Sequence, residues 1–185
     1  MSADDARRWD ARYADCAVAE PGPPDALAEA GLTDLLHGPG RALDIACGAG
    51  AQSVWLAAQD FDVVAIDGSK VAIDLATAAA ARAGVAAFVE ARVVDLDDGI
   101  PDDLGVFDVV VCQRFRSSGL YGPIVDRLRR GGVAVVTVLS ETGASSPGPF
   151  HARPGELLEA FTRADTEVLH HCEHDGHESV VLRRR

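Results

Sequence analysis

The chain has 185 residues, 48% of them hydrophobic, and a formal net charge of −12. That length suits one domain with a sizeable core, and the acidic balance argues against nucleic acid or an anionic membrane surface as partner, since both need clustered Lys and Arg. No apolar run reaches the roughly eighteen residues of a membrane span, and the polar start "MSADDARRWDARYAD" lacks the apolar stretch of a secretory signal, so a cytoplasmic location is expected.

In chain order, a helical piece over about 4–15 is broken by "EPGPPD" (20–25) from a second one over about 25–36. Alternation follows. "RALDIAC" reads as a strand, "AQSVWLAAQ" as a helix and "FDVVAID" as a strand. "SKVAIDLATAAAARAG" is a helix with Ser69 as N-cap and Gly84 as C-cap, and Val71, Leu75 and Ala79 share one face. "AAFVEARVVD" and "FDVVVCQ" are strands, "YGPIVDRLRRGG" is a helix ending on glycine, and "VAVVTVL" is a strand. A long Gly/Pro/Ser-rich loop follows Leu139, then a short helix in "RPGELLEAF" with Pro154 in its first turn. "DTEVLHHCEHDGHESVVLRRR" gives two strands turning near Asp175-Gly176. Strands apolar nearly throughout, alternating with helices, predict an α/β fold with a mostly parallel sheet covered on both faces. The hairpin makes that sheet mixed.

Cysteines 16, 47, 112 and 172 lack Cys-x-x-Cys pairing and read as reduced thiols, with Cys112 a buried strand residue. Ligands in open α/β sheets bind at the carboxyl ends of strands. The first strand ends in Asp44-Ile-Ala46-Cys47-Gly48-Ala-Gly50, where glycines let the backbone approach a ligand. A dinucleotide fingerprint would place a third glycine at 53, which is Ser53. Asp67, with Gly68 and Ser69, ends the second strand, where an acid can accept both hydroxyls of a ribose or cap the next helix. Asp95 and Leu96 end the third strand. Gln113, Arg114, Phe115 and Arg116 follow the fourth.

Taken together, these stretches resemble the class I S-adenosylmethionine-dependent methyltransferases over about residues 40–140. "LDIACGAG" resembles their first motif and "VVAIDGS" their acidic second-strand end. "VVDLDDG", "FDVVVCQ" and "LRRGGVAVVTV" resemble the motifs that follow. The size, "RRWDARYA" and "RPGELLEAF" are similar to small bacterial methyltransferases of the tellurite-resistance and thiopurine-methyltransferase-like kind. The resemblance implies a Rossmann-like seven-stranded mixed sheet with an antiparallel last strand and helices on both faces. It implies one domain over 1–185: a helical cap (1–37), a cofactor-binding core (41–139) and an acceptor-side loop, helix and hairpin (140–185). S-adenosyl-L-methionine would be the cofactor and S-adenosyl-L-homocysteine the product. Asp44, Ala46, Gly48 and Gly50 would lie along the methionine part, with Asp67, Gly68 and Ser69 at the ribose. Asp95 and Leu96 would hold adenine, and the backbone near Gln113 would face the methionine part and the incoming acceptor. Trp9, Arg12 and Tyr13 would form a lid.

The acceptor is expected to be a small molecule. "CQRF" lacks the proline motifs of DNA-methylating enzymes. Arg114, Phe115 and Arg116 would orient an anionic or aromatic acceptor, and Arg114, His151 and Tyr13 are the catalytic candidates. His170, Cys172 and His174 would share a strand face, but without familiar zinc spacing, so no metal is expected. Two further readings are a non-catalytic module of the same fold and a nicotinamide-dependent oxidoreductase.

Overall fold

The computed structural model describes residues 3–16 and 20–185, so 1–2 and 17–19 of the predicted helical cap lie outside the described residues. Thirteen elements follow in order among them: α1 (Ala3–Ala14), α2 (Asp25–Ala30), β1 (Gly40–Ile45), α3 (Ala51–Ala57), β2 (Phe61–Asp67), α4 (Lys70–Arg82), β3 (Val89–Val93), β4 (Phe107–Gln113), α5 (Tyr121–Asp126), β5 (Leu128–Leu139), α6 (Glu156–Phe161), β6 (Thr166–His174) and β7 (His177–Arg184).

The strands form one seven-stranded sheet in the order β3-β2-β1-β4-β5-β7-β6. β1 pairs parallel with β2 and β4, β2 with β3, and β4 with β5, whereas β7 runs antiparallel to both β5 and β6. The expected Rossmann-like mixed sheet is therefore present. The chain leaves β1 toward one edge and β4 toward the other, so a crevice opens at the carboxyl ends of β1 and β4.

Strand alternation sorts the core onto two faces. Leu43, Ile45, Val64, Ile66, Val110 and Val136 pack with α5 and α6 through Ile124, Val125, Leu157 and Phe161. Ala42, Val63, Val109, Val111 and Val135 pack with α2 and α3 through Leu27, Leu56 and Ala57. Burying a Leu or Ile side chain fully contributes roughly 1.5–3 kcal/mol, so these two layers dominate the stabilisation. Among the described residues no helix is long and apolar enough to cross a membrane.

Several elements depart from the sequence expectation. The helix expected over 25–36 stops at Ala30, where Gly31 turns left-handed (φ 65°) and its N–H closes on Ala28. The helix over "YGPIVDRLRRGG" is short and Leu128 already belongs to β5, because its side chain is fully buried and it pairs with Phe107. Tertiary burial overrides helix propensity there. On α4 the buried face is Ala72, Ile73, Ala76, Ala79 and Ala80, with Val71 and Leu75 only partly covered. β3 is preceded by a 3₁₀ turn and leaves Phe88 and Val93 exposed at the sheet edge. Gly155, not Pro154, directly precedes α6.

The loop after Leu139 is held in place. Ser140 N–H donates to Gly176 O at 2.8 Å and Ala152 N–H to Leu139 O at 2.7 Å. Ser140 Oγ and Thr142 Oγ1 both donate to Glu173. The hairpin turn falls at Asp175 (φ 51°) and Gly176 (φ 77°), the paired positive φ values of a two-residue hairpin loop.

Candidate active site

A cleft of about 520 Å³ opens at the carboxyl ends of the central strands. Of the predicted cofactor residues, Ala46, Gly48, Asp67, Gly68, Leu96 and Gln113 line it, while Asp44, Gly50, Ser69 and Asp95 do not. Asp97 lines the cleft where Asp95 was expected, and its N–H donates to Asp95 Oδ1 at 3.0 Å.

Asp67 ties the site together. Its Oδ2 accepts from Gly48 N–H at 3.0 Å and its Oδ1 from Ser69 N–H at 2.8 Å. One carboxylate thus fixes the glycine turn after β1 and the start of α4. Burial pushes its pKa above the usual carboxylate range, against the pull of those backbone donors. Each oxygen keeps lone-pair capacity toward the cleft. Ser69 caps α4, accepting from Ala72 N–H at 3.1 Å as the sequence predicts. It also donates to Asp10 Oδ1 at 2.5 Å, which fastens α1 to the N-terminus of α4. The sequence reading had no part for Asp10.

Ser53 has a positive part that sequence reasoning missed. Its hydroxyl donates to Asp44 Oδ2 across the β1–α3 junction. Asp44 is 1% exposed, and desolvation, opposed by the Ser53 bond and reinforced by the Asp67 charge, raises its pKa to about 7. The consequence for stability has a definite sign. With a folded pKa near 7 and an unfolded value near 3.8, Asp44 binds more protons in the folded state between those values. Its contribution therefore weakens as pH rises from about 4 to 7 and is flat above. Asp44→Asn is expected to be more stable relative to wild type at pH 8 than at pH 5 in urea unfolding. An unchanged difference at the two pH values would contradict this.

Gly50 serves packing. A Cβ built on it would stand 2.8 Å from both Cα and Cβ of Ala76, so only glycine lets α4 come this close. Gly48 lies under Tyr13, whose hydroxyl would stand 2.8 Å from a Cβ added there.

The α1 helix brings Trp9, Arg12 and Tyr13 onto the cleft, with the Trp9 and Tyr13 rings stacked at 6.1 Å and the Arg12 guanidinium 5.4 Å from the Trp9 ring centre. Burial, then the Asp67 charge, pushes the Tyr13 phenol up to about 12, so it stays protonated at neutral pH. Burial likewise pushes Cys112 up to about 12, which suits a packed strand thiol.

On the side facing β5 and β7, Gln113 donates to Val135 O at 3.0 Å, and Thr137 and Ser179 share a hydrogen bond at 2.9 Å. Arg114 lines the cleft but pairs with Asp25 at 3.4 Å, at an exposed position. Arg116 does not line it. Its guanidinium grips Glu156 through two bonds of 2.8 and 2.9 Å, and Tyr121 OH donates to the same carboxylate. The expectation that Arg116 helps to orient the acceptor is corrected: it anchors α6 to the β4–α5 connection. Arg116→Ala is expected to cost about 1–3 kcal/mol of stability, because Glu156 is left buried with a single side-chain donor. S-adenosylhomocysteine affinity measured on the folded variant should be unchanged. A selective loss of affinity would return Arg116 to the site.

His151 also lies away from the cleft, where its Nδ1 accepts from Gly148 N–H at 3.0 Å. The loop after Leu139 contributes no lining residue among those described. The hairpin does so instead, through Cys172, His174, Asp175, His177 and Ser179, with Asp25, Ala26 and Glu29 of α2 opposite.

Residues 42–132 match a sequence family described as "Methyltransferase domain". No curated protein sequence matches the chain. Among solved structures the chain is similar to TehB from Haemophilus influenzae, with a TM-score of 0.71 and 18% identity over 87% of this chain. It spans only 62% of that protein's length. A SAM-dependent methyltransferase from Geobacter sulfurreducens, solved with S-adenosyl-L-homocysteine, matches with a TM-score of 0.67 and 21% identity, over 92% of this chain and 75% of that one. The [4+2]-cyclase SpnF matches with a TM-score of 0.71 and 18% identity, over 97% and 94%. At these identities the structures attest the fold, and one of them is described as a cyclase. The chain thus carries a match to a methyltransferase domain over residues 42–132 and has the α/β Rossmann-like fold of S-adenosylmethionine-dependent methyltransferases.

Proposed function

We propose that this protein binds S-adenosyl-L-methionine in the β1/β4 cleft and transfers its methyl group to a small-molecule acceptor. Asp67 carries this reading: one buried carboxylate binds the glycine turn and the start of α4 while its oxygens border the cleft. That is the placement needed to accept from two ribose hydroxyls. The lining fits the cofactor in kind. Gly48 offers bare backbone to the methionine part under Tyr13, and Leu96 offers an apolar side chain to adenine.

When bound, the cofactor supplies an electrophilic methyl group on a sulfonium, whose sulfur leaves as a neutral thioether. The chain's task is then orientation and exclusion of water. Trp9 and Tyr13 cover the turn, and Tyr13, being protonated, is equipped to donate a hydrogen bond and not to take a proton. Gln113, with its amide nitrogen committed to backbone carbonyls, presents a fixed wall to the acceptor. The acceptor half lies between α2 and the β6–β7 hairpin, and residues 1–37, 41–139 and 140–185 act as cap, cofactor core and acceptor side of one domain. A net charge of −12 favours a small acceptor over nucleic acid.

The test is formation of S-adenosylhomocysteine from S-adenosylmethionine across a panel of thiol, amine, hydroxyl and carboxylate acceptors. Acceptor-dependent product supports the reading. Tight cofactor binding without product on any acceptor would favour a binding module or a different reaction, such as the cyclase relative's name describes.

A further inference from the structure

We propose that Glu29, Cys172 and His174 form a three-ligand site for a zinc ion at the acceptor end of the cleft. All three line the cleft, and one donor atom from each lies within 4.8 Å of the others. Glu29 Oε2 stands 3.9 Å from Cys172 Sγ and 3.6 Å from His174 Nε2. Around a tetrahedral zinc with Zn–S near 2.3 Å and Zn–N and Zn–O near 2.0 Å, those separations would be about 3.5 and 3.3 Å. The two separations to Glu29 thus need to close by only a few tenths of an ångström, and the Cys172–His174 pair starts within 4.8 Å.

A second observation supports a metal over a simple ion pair. His174 Nδ1 lies 3.2 Å from Asp175 Oδ2, a carboxylate placed to hold a proton on Nδ1 when Nε2, which faces Glu29 at 3.6 Å, takes a metal. A carboxylate behind a histidine in this way is the usual support of a zinc-bound imidazole. The donor set of thiolate, imidazole and carboxylate suits zinc, and three protein ligands leave a fourth position open toward the cleft.

Among the described residues, a second group of suitable side chains, His171, Glu173 and Glu178, is already committed. Glu178 accepts from the N–H groups of Leu157 and Leu158, each at 3.0 Å, and Glu173 from Ser140, Thr142 and Gly155. The sequence placed His170 with Cys172 and His174, and so missed the site. His170 does not line the cleft, and the third ligand comes from α2, 143 residues from Cys172.

The test uses the full chain purified without a histidine tag, stripped with a chelator and titrated with zinc, with cobalt(II) as a spectroscopic probe. One equivalent of zinc is expected, with a thiolate-to-cobalt charge-transfer band. Cys172→Ser should abolish the band, and Glu29→Gln and His174→Ala should each weaken zinc by at least about 100-fold. Cys16→Ser and His171→Ala should leave band and affinity unchanged. Glu29 is half exposed on a surface helix, so its variant keeps the test alive if a strand variant fails to fold. Absence of stoichiometric zinc, a band that survives Cys172→Ser, or a loss confined to His171→Ala would overturn the proposal. None of these readouts depends on methyl transfer, so the zinc site stands or falls apart from the proposed reaction.

Discussion

Asp67→Ala should weaken S-adenosylhomocysteine binding by about 100-fold or more. Two hydrogen bonds from ribose hydroxyls to a charged acceptor contribute roughly 1.5–3 kcal/mol each, and the variant loses both. The same change orphans Gly48 N–H and Ser69 N–H, which the carboxylate holds at 3.0 and 2.8 Å. Stability should therefore fall too, by about 1–3 kcal/mol, reduced by relief of the burial that raises the Asp67 pKa. Asp67→Asn separates the two effects. It keeps one acceptor oxygen and the volume, so it should recover more stability than affinity. Calorimetry on both variants, with urea unfolding beside it, checks the pair. An affinity change below about threefold in Asp67→Ala would remove Asp67 from the ligand.

Gly50→Ala should destabilise the fold by about 2–5 kcal/mol. The positive φ of 85° is costly for any residue with a Cβ, by roughly 1–2 kcal/mol. The added carbon would also stand 2.8 Å from Ala76 on α4, a helix backbone that cannot yield without shifting, which adds roughly 1–3 kcal/mol. Gly131 is the control. Its φ is 81° but a Cβ there meets nothing within 4 Å, so Gly131→Ala should cost only the backbone part. Chemical unfolding of the two variants measures the difference. Equal losses would mean that the close approach of α3 and α4 carries no weight.

The strands of the core were legible because burial on both faces writes itself as unbroken apolar runs. β2 and β4 follow "FDVVAID" and "FDVVVCQ" residue for residue. The Asp175-Gly176 turn was legible for a different reason, since few other pairs accept two positive φ values. Short helices were less so. α5 ends early because Leu128 gains more from the core than from another helical turn.

Within the site, part of the strand-end set and the α1 residues Trp9, Arg12 and Tyr13 were placed at the cleft by the sequence, whereas the pairs that lock these elements together were not. Asp67 and Gly48 line the cleft as the order of motifs led one to expect. Ser53 looked like a missing glycine, yet it is the hydroxyl that partners a buried acid; its place one helical turn after the glycines, facing β1, was the only hint. Asp10 meets Ser69 from 59 residues away, and Glu29 meets the hairpin from still farther. No local period encodes such pairs. Arg116 looked like a site residue because it follows β4 closely, but its charge is spent on Glu156.

The central claim is that this cleft is shaped for S-adenosylmethionine. Isothermal calorimetry of the full chain with S-adenosyl-L-homocysteine and, separately, with NAD tests it most directly. The account predicts one site for S-adenosylhomocysteine, lost in Asp67→Ala, and no measurable heat with NAD. Binding of NAD with no binding of S-adenosylhomocysteine would contradict it.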